Sequence, residues 1–590
     1  MCIIYGIERG EFMVNSVKSK KNNEKISNLI TYALTLKNLG SHYKFVKENN
    51  HHKILIKKNG ETPYIYFKNL VLSHPKIQNE NALVQDKAIT FMEMLTEVDK
   101  LADYIYQNIE YNKGDKASIC SDSSSEGIIS FFSMNKLGIA NSRIFNGSKE
   151  EKMEFNINNF NSKLMFTDSN NIEIVSRVID NTKVKDIILM DKCDKSIIEK
   201  IQNKGVKVHE WDDIQKSDIG NLSYEPCKDP DALASILYTS GSSGEPKPIS
   251  ISNKVYTNMV KIVSKTTNVK SCESEKVVGV VSHEYPYAAI NSTIMILLMG
   301  KTLILQSKDE KIMDMLDENQ VDRIQAIPNF YKIIEDTKDV GKLSYLKYVI
   351  SGGEHYLTEE KKKLLNFLNE HDADPLLIDG FGFGELGSAT ALKFGLNDYF
   401  MLMNGIEAKA IDPKTHADLG NDKEGILCLS GPTIADGYYN NEEATNKSFV
   451  TDENGKKWFI SDTYGSVHGK FKRLIKLGGR IREYFITDDG KGNFVKIYAG
   501  NVEEVISSVD YIEDCIIVPS DASATPRSVA YISLMSDCNL SREKIINLVN
   551  EKCNSIEEFA KPIEINIEDE IQRTSAGKKN YAYYRKKRLI

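Results

Sequence analysis

The sequence has no long apolar run and no concentration of charge of one sign. Its longest apolar stretch, residues 292–300, is far shorter than the roughly 20 residues that a membrane-spanning helix needs. The 590 residues carry 76 Lys and Arg against 83 Asp and Glu, which gives a net charge of −7. General nucleic-acid binding requires a concentrated basic face, which this mildly acidic chain lacks. We therefore expect no membrane span and no nucleic-acid partner.

Cysteine and proline are also scarce. The nine cysteines are widely scattered without a C-x-x-C pair, which argues against a disulfide framework or a zinc ribbon. With only 14 prolines, long disordered linkers are not expected. At the N-terminus, Glu8, Arg9 and Glu11 interrupt the apolar start, so no secretory signal is predicted. These features favour a reduced, cytoplasmic setting.

Residues 1–75 carry no motif and are interpreted as an N-terminal extension of unknown role. Purine-rich codons for Glu8, Arg9 and Gly10 just before Met13 make Met13 an alternative start, which is a hypothesis. Within this segment, residues 53–56 and 64–67 flank an Asn-Gly pair and predict a β-hairpin.

From about Ala82 onward, helix and strand patterns alternate. An amphipathic pattern predicts a helix over residues 91–108. Short apolar runs predict strands at residues 117–120, 164–166, 187–190, 277–281, 302–305 and 348–350. This alternation predicts an α/β fold with parallel sheets.

One loop stands apart because an apolar strand runs directly into hydroxyl groups and glycines and the segment ends in a lysine. Glycine lets the backbone turn tightly and present its N–H groups, hydroxyls add donors, and the lysine adds positive charge, which together suit a polyphosphate. The G-x-x-x-x-G-K-[ST] spacing of an NTPase P-loop is absent. The residues of this predicted phosphate cradle are Thr239, Ser240, Gly241, Ser242, Ser243, Gly244 and Lys247.

This segment resembles the signature loop of adenylate-forming (AMP-binding) enzymes, the superfamily of acyl-CoA synthetases, aryl-acid ligases, luciferases and peptide-synthetase adenylation domains. The resemblance extends from about Ala82 to the C-terminus. It implies a large multi-subdomain α/β body with parallel and mixed sheets at residues 76–480, and a small mobile α+β domain at residues 481–590. The implied reaction joins ATP and a carboxylate into an acyl-adenylate with release of pyrophosphate, and then transfers the acyl group to a thiol.

Two further motifs follow in the family's order. The Ser-Gly-Gly-Glu segment with Gly352, Gly353 and Glu354 resembles the segment that lines the acyl pocket and the adenine site. Residues 379–385 resemble the family's aromatic-Gly-x-Thr-Glu motif. The resemblance implies that Phe381 lies against adenine and that Asp379 accepts its exocyclic amine. It also implies that Glu385 holds Mg²⁺ through oxygen ligation. Gly384 stands where the family usually has Thr.

Three more residues complete the implied ATP site. Asp462, which follows Ile460-Ser461 in place of the usual Thr-Gly, would accept both ribose hydroxyls. Arg480 would reach phosphate or ribose, and Lys578 would be the catalytic lysine that neutralises charge shared by the carboxylate and the α-phosphate.

The small domain departs from the family at the hinge. Arg482 falls at the family's pivot position, and an insertion containing Asp488-Asp489-Gly490 precedes the expected strand at residues 495–497. We interpret the insertion as a hairpin.

The segment His283-Glu284-Tyr285-Pro286 resembles the pocket-entry segment of the family, where hydroxyaryl-acid ligases have His-Asn-Tyr-Pro. The aromatic residues and proline favour an aryl or short acyl acid. Glu284 could accept a hydrogen bond from a substrate hydroxyl or amine, or lie behind the pocket.

The sequence therefore predicts an AMP-forming acid–thiol ligase that uses ATP and Mg²⁺. CoA or the phosphopantetheine thiol of a separate carrier protein would be the acceptor. Two alternatives stay open at this stage. One is a stand-alone amino-acid-activating enzyme in which Glu284 pairs with the substrate amine. The other is a degenerate, non-catalytic nucleotide-binding protein, because Gly384 and Ile460-Ser461 depart from the family pattern.

Overall fold

The computed structural model describes residues 61–144, 148–218, 222, 224–238, 247–267, 275–279, 293–307, 310–335, 337, 340–395, 398–469, 472–480, 484–574 and 578–589. Residues 293–298 are also helical. The α-helices with assigned bounds are α1 (Pro63–Ser73), α2 (Pro75–Gln78), α3 (Phe91–Asn108), α4 (Ser125–Leu137), α5 (Glu150–Phe160), α6 (Ile172–Val178), α7 (Lys195–Gln202), α8 (Trp211–Lys216), α9 (Asn253–Thr267), α10 (Ile312–Asn319), α11 (Pro328–Glu335), α12 (Thr358–Glu370), α13 (Glu442–Ser448), α14 (Ala499–Ser507), α15 (Arg542–Lys552) and α16 (Tyr581–Leu589).

The largest sheet, sheet A, is parallel in one half and antiparallel in the other. The parallel run β1-β11-β10-β12-β13-β14 passes into an antiparallel run at β15. Its strands are β1 (Asn81–Val84), β2 (Ala88–Thr90), β10 (Lys276–Gly279), β11 (Thr302–Ile304), β12 (Arg323–Ala326), β13 (Tyr348–Gly352), β14 (Leu376–Gly382), β15 (Ala389–Phe394), β16 (Tyr399–Leu402), β17 (Glu407–Ile411), β18 (Glu424–Ser430), β20 (Phe449–Thr451), β21 (Lys457–His468) and β22 (Leu474–Arg480).

Sheet B has the order β19-β9-β8-β4-β3-β5-β6-β7 and is parallel from β8 to β7. Parallel strands need crossover connections, and helices α4 to α7 supply them. Its strands are β3 (Lys116–Cys120), β4 (Ala140–Arg143), β5 (Leu164–Thr167), β6 (Asp186–Leu189), β7 (Lys207–Glu210), β8 (Leu233–Tyr238), β9 (Pro248–Ser252) and β19 (Gly437–Tyr438).

The C-terminal part of the chain forms separate, smaller sheets with their own apolar core. An antiparallel pair, β23 (Tyr484–Asp488) and β24 (Phe494–Tyr498), precedes a three-stranded sheet of β25 (Ile512–Pro519), β26 (Ser528–Leu534) and β27 (Pro562–Ile567). Helices α14 and α15 pack on this sheet through residues such as Val502, Ile506 and Val549. The predicted hairpin insertion is confirmed by the pairing of β23 with β24.

Local sequence rules account for the start of α3. The side chain of Thr90 accepts the N–H of Glu93, and the Glu93 carboxylate accepts the N–H of Thr90, which forms a capping box. The buried residues Met94, Leu95 and Val98 lie on the helix face that joins the main core. The helix predicted over residues 91–108 is confirmed with these bounds.

The predicted strand at residues 64–67 is wrong, because these residues lie in α1. Thr62 caps this helix and Pro63 occupies its first turn, where a missing N–H has no cost. Tyr64, Tyr66 and Phe67 are all buried in the main core. Burial on several sides of a helix produces an unbroken apolar run, which resembles a strand. The partner segment, residues 53–56, lies outside the described residues.

The α/β fold class with parallel and mixed sheets is confirmed. In the described part of the chain, no helix is both long and apolar enough to cross a membrane. The seven described cysteines are free thiols. The domain bounds 1–75, 76–480 and 481–590, and the mobility of the small domain, stay predictions.

Candidate active site

The predicted adenine-site segments lie together where sheet A changes from parallel to antiparallel. Gly352 at the end of β13 pairs with Gly380 in β14, and a Cβ atom at position 352 would lie 3.0 Å from the Gly380 carbonyl oxygen. Gly353 has a φ of +86°, which L side chains rarely adopt. Both glycines are therefore required by the backbone. Carboxyl ends of parallel strands are the usual place for ligands in open α/β sheets.

Asp379 on β14 is buried and held by two lysines that the sequence analysis missed. Its Oδ2 lies 2.5 Å from Lys361 Nζ of α12 and 3.1 Å from Lys393 Nζ of β15. Burial lowers the pKa of Lys361. The charge of Asp379 raises this pKa, and the charge of the neighbouring Lys393 lowers it. The Oδ1 atom of Asp379 is buried and accepts no hydrogen bond from the described residues. One carboxylate oxygen is thus held by two lysines, while the other can accept a hydrogen bond. This arrangement fits the predicted contact with the exocyclic amine of adenine.

Phe381, two residues further along β14, is partly exposed and belongs to an aromatic group. Its ring centroid lies 5.1 Å from that of Phe383 and 5.8 Å from that of Phe400. The Phe381 carbonyl accepts a hydrogen bond from Thr390 Oγ1 at 3.0 Å. A partly exposed aromatic ring can stack on a planar base.

Glu385 lies in a short 3₁₀ helix, Gly384–Leu386, and is buried. Tyr438 of β19 donates a 2.7 Å hydrogen bond to Glu385 Oε1, and Lys247 Nζ lies 5.0 Å from the centroid of the same tyrosine ring. Burial raises the pKa of Glu385, and so does the charge of Asp462, whereas the Tyr438 hydrogen bond and Lys247 lower it. The structure therefore brings together three predicted residues, Glu385, Lys247 and Asp462, around Tyr438, which the sequence analysis missed. We call this set the Glu385 cluster.

Asp462 lies within the long strand β21 and is partly buried. The neighbouring residue, Thr463, pairs with Arg480 at the end of β22. The backbones of the two predicted ribose and phosphate residues are therefore adjacent in the sheet. The side chain of Arg480 lies outside the described part of the structure.

The C-terminal segment that carries Lys578 contacts Glu354, which follows strand β13. The N–H of Lys579 donates to Glu354 Oε1 at 2.7 Å, and Arg573 Nη1 lies 3.8 Å from Glu354 Oε2. Burial raises the pKa of Glu354, while Arg573, the Lys579 N–H, Lys579 and Lys578 lower it. The predicted catalytic lysine thus lies close enough to influence a residue of the predicted adenine segment.

Several predicted residues fall outside the described part of the chain. These are the cradle residues 239–244, the pocket residues His283, Glu284 and Tyr285, and the pivot Arg482. Within the described residues, no group of three or more His, Cys, Asp or Glu could hold a metal ion. A single carboxylate such as Glu385 still fits Mg²⁺, because this ion usually takes one or two carboxylates and completes its shell with water and substrate phosphates.

Comparison with known proteins supports the same assignment. Residues 74–439 match the family model described as AMP-binding enzyme. The chain is 23% identical to 4-coumarate--CoA ligase-like 3 of Arabidopsis thaliana, over 83% of this chain and 86% of that protein. It is 24% identical to peroxisomal OPC-8:0-CoA ligase 1 of the same plant, over 78% and 82% of the two chains.

A solved structure shares the fold. The anthranilate CoA ligase AuaEII in complex with anthranoyl-AMP superposes with a TM-score of 0.72 at 17% identity, covering 90% of this chain and 97% of that one. The family match spans more than half of the sequence and includes the Glu385 cluster except for Asp462. The chain therefore belongs to the AMP-binding enzyme family, as an AMP-forming acid–thiol ligase of the acyl-CoA synthetase type.

Proposed function

We propose that this enzyme activates a small carboxylic acid, an aryl or short acyl acid, and transfers it to CoA or to the phosphopantetheine thiol of a carrier protein. The observation that carries the proposal is the Glu385 cluster, in which a buried carboxylate, a lysine and a second carboxylate surround one tyrosine. A cation and a carboxylate set side by side suit a magnesium-bound polyphosphate.

The remaining roles follow from the chemistry of each group. The Oδ1 atom of Asp379, which accepts no hydrogen bond within the described structure, would accept the adenine amine, Phe381 would stack on the base, and Asp462 would accept the ribose hydroxyls. Mg²⁺ held by Glu385 would neutralise charge on the phosphates. Lys247 and the hydroxyl-rich loop would bind the departing pyrophosphate.

Two bond exchanges complete the reaction. A carboxylate oxygen of the acid bonds to the α-phosphorus as the bond to pyrophosphate breaks, and Lys578 offsets the negative charge shared by the two groups. The thiolate sulfur then bonds to the acyl carbon, and AMP leaves with the oxygen that came from the acid. The hydrogen bond from the Lys579 N–H to Glu354 supports this role, because the neighbouring Lys578 is then close to the predicted adenine segment.

The substrate class rests on the pocket sequence and on the relatives. His283, Tyr285 and Pro286 favour an aryl or short acyl acid, and two of the similar proteins are named for 4-coumarate and anthranilate. The amino-acid-activating alternative rests on Glu284 alone. The Glu385 cluster argues against a degenerate protein, because a buried carboxylate is costly for stability and a protein without a charged ligand would not need one beside a lysine.

An ATP–pyrophosphate exchange assay across aryl, short acyl and amino acids tests the proposal. We expect exchange with at least one aryl or short acyl acid, followed by thioester formation when CoA or a phosphopantetheinylated carrier is added. Exchange only with amino acids would favour the amino-acid-activating alternative. Measurable ATP binding without exchange for any acid would contradict the enzymatic assignment.

A further inference from the structure

A buried arginine that forms no hydrogen bond or ion pair with the described residues lies on the carboxyl edge of sheet B. The strand order β4-β3-β5-β6-β7 places β3 between the two strands that follow it in the chain, so the topological switch point lies between β3 and β5, at the edge of β3. Ligands in open α/β sheets bind outside the carboxyl ends of strands at such a point. Strand β4 ends at Arg143 and β3 ends at Cys120, followed by Ser121.

Arg143 and Ser121 lie on the same face of the sheet. Ile119 pairs with Arg143 in register, and Ser121 is two residues after Ile119, so their side chains point to one side. Helix α4 covers that side. A Cβ atom at Gly127 in its first turn would lie 3.0 Å from Arg143 Nη2 and 3.7 Å from Ser121 Oγ. Three elements therefore meet at one point.

The charge at this point is not balanced. Arg143 is only 6% exposed, and no described residue forms a hydrogen bond or ion pair with its guanidinium. The charge of Asp168 favours the charged form of Arg143, but this carboxylate already accepts hydrogen bonds from the Asp122 and Asn171 N–H groups and from the Asn171 amide. A cation beside the N-terminus of α4 is also repelled by the helix dipole.

The hydroxyl of Ser121 is the second unpartnered group. Ser121 is 4% exposed, and its Oγ forms no hydrogen bond with the described part of the chain. Ser124 next to it already caps α4 by accepting the Gly127 N–H at 3.1 Å. Buried polar groups and buried charges are costly unless they are paired. An anion at this point would satisfy the arginine and the hydroxyl together and would also lie at a helix N-terminus.

We propose that Arg143, Ser121 and the first turn of α4 bind a phosphate group at a site distinct from the Glu385 cluster. Strand β4 is the neighbour of β8, and β8 ends at Tyr238, directly before the hydroxyl-rich residues 239–244. The bound phosphate would thus lie on the same sheet edge as the predicted pyrophosphate loop. Free phosphate and the phosphate of a nucleotide are the two sources that share this chemistry.

Calorimetry and thermal unfolding of the full chain with inorganic phosphate as the probe test the site. We expect phosphate to raise the unfolding temperature of the wild type and Arg143→Met to weaken phosphate binding by about tenfold or more, the effect of one charge-assisted hydrogen bond. In phosphate-free buffer, Arg143→Met should unfold at the wild-type temperature or above, because it removes an unpaired buried charge.

Arg323→Met is the matched control. Arg323 is similarly buried but pairs with Glu275 at 2.5 Å, so its loss should lower the unfolding temperature and leave the phosphate response intact. Ser121→Ala, a milder change, should weaken phosphate binding severalfold with a normal fold. Lys247→Ala should not affect binding of free phosphate at this site.

Three results would overturn the inference. The first is a wild type that phosphate does not stabilise. The second is unchanged phosphate affinity in both Arg143→Met and Ser121→Ala, or loss of binding only in Lys247→Ala, which would place the phosphate in the nucleotide site. The third is failure of Arg143→Met to fold without phosphate, which would show that the guanidinium stabilises the fold without an anion. None of these outcomes depends on ligase activity, so the proposed function is tested separately.

Discussion

At the scale of single residues, Tyr438 connects Glu385 to Lys247 through its hydroxyl and its ring. Removal of the hydroxyl alone separates the two contacts, because phenylalanine keeps the ring beneath the lysine. We expect Tyr438→Phe to raise the pKa of Glu385 further above its usual range, since the hydrogen bond from Tyr438 opposes the effect of burial.

The expected change in the pH dependence of exchange by Tyr438→Phe has a definite direction. A higher pKa means that Glu385 is protonated at higher pH, so the acidic limb of the pH–exchange profile should move up by about one pH unit. Exchange near pH 8 should change little. An acidic limb that stays in place in Tyr438→Phe would show that Glu385 does not need to be ionised.

Lys578 is the second residue on which the account depends. We expect Lys578→Ala to lower ATP–pyrophosphate exchange by about 10²–10³-fold, the typical cost of one electrostatic donor in a reaction site. Lys586→Ala is the control, because Lys586 is an exposed member of the basic helix α16 and should exchange at the wild-type rate. Equal rates in the two variants would show that Lys578 is not the catalytic lysine.

Gly384, the departure from the family pattern, lies against the end of a buried isoleucine side chain. A Cβ atom at this position would lie 2.7 Å from Ile249 Cδ1 of β9. We expect Gly384→Thr to lower the free energy of unfolding by about 1–3 kcal/mol through overpacking. Gly384→Thr with Ile249→Ala should recover part of this loss relative to Ile249→Ala alone. A stable single variant, measured by urea unfolding, would remove the steric explanation.

At the scale of elements, Asp514 of β25 pairs with three cations, two from the C-terminal segment and one from α11. Asp514 accepts an ion pair from Arg573, lies 3.1 Å from Lys579 Nζ, and lies 3.6 Å from Lys332 Nζ of α11. Burial alone raises the pKa of a carboxyl, but these three cations hold the pKa of Asp514 well below its usual range. The same network holds the segment that carries Lys578.

A depressed pKa links this network to pH. The carboxylate contributes stability above its unfolded pKa of about 3.9, and the contribution is lost as pH falls toward the lower folded value. We expect Asp514→Asn to cost about 3 kcal/mol at pH 7, as in other broken buried pairs, and to flatten the loss of stability below pH 4. Urea unfolding between pH 3 and 7 measures both.

The exposed pair Glu225 and Lys228 provides the comparison for Asp514. Both side chains are largely exposed, so Glu225→Gln should change the free energy of unfolding by less than about 1 kcal/mol. A similar loss in Glu225→Gln and Asp514→Asn would mean that burial of the Asp514 network adds nothing.

At the scale of the whole molecule, sequence reasoning succeeded where the determining forces are local. The cap and amphipathic face of α3 lie within its own residues, and the parallel strands are short apolar runs. It failed for Tyr64–Phe67, because the apolar run reflects burial of a helix against the main core. It missed Tyr438, Lys361 and Lys393, because their contacts with Glu385 and Asp379 join different elements and depend on how these elements pack.

The site also divides into features set by local sequence and features set by packing between segments. Glycine, aromatic and acidic residues at fixed spacing identify the segments that contain Gly352, Phe381 and Glu385. The pairing of Gly352 with Gly380 and the placement of Lys578 beside Glu354 depend on packing between segments. Such contacts have no signature in a single sequence, so the lysines that hold Asp379 could only be found in the folded chain.

The central claim is that the chain forms an acyl-adenylate, and one isotope measurement tests it most directly. An acid that supports exchange is labelled with ¹⁸O in its carboxylate, and the AMP formed with ATP and the acceptor thiol is analysed by mass spectrometry. We predict one ¹⁸O atom in each AMP, because a carboxylate oxygen bonds to the α-phosphorus. AMP without the label, or ADP as the nucleotide product, would contradict the account.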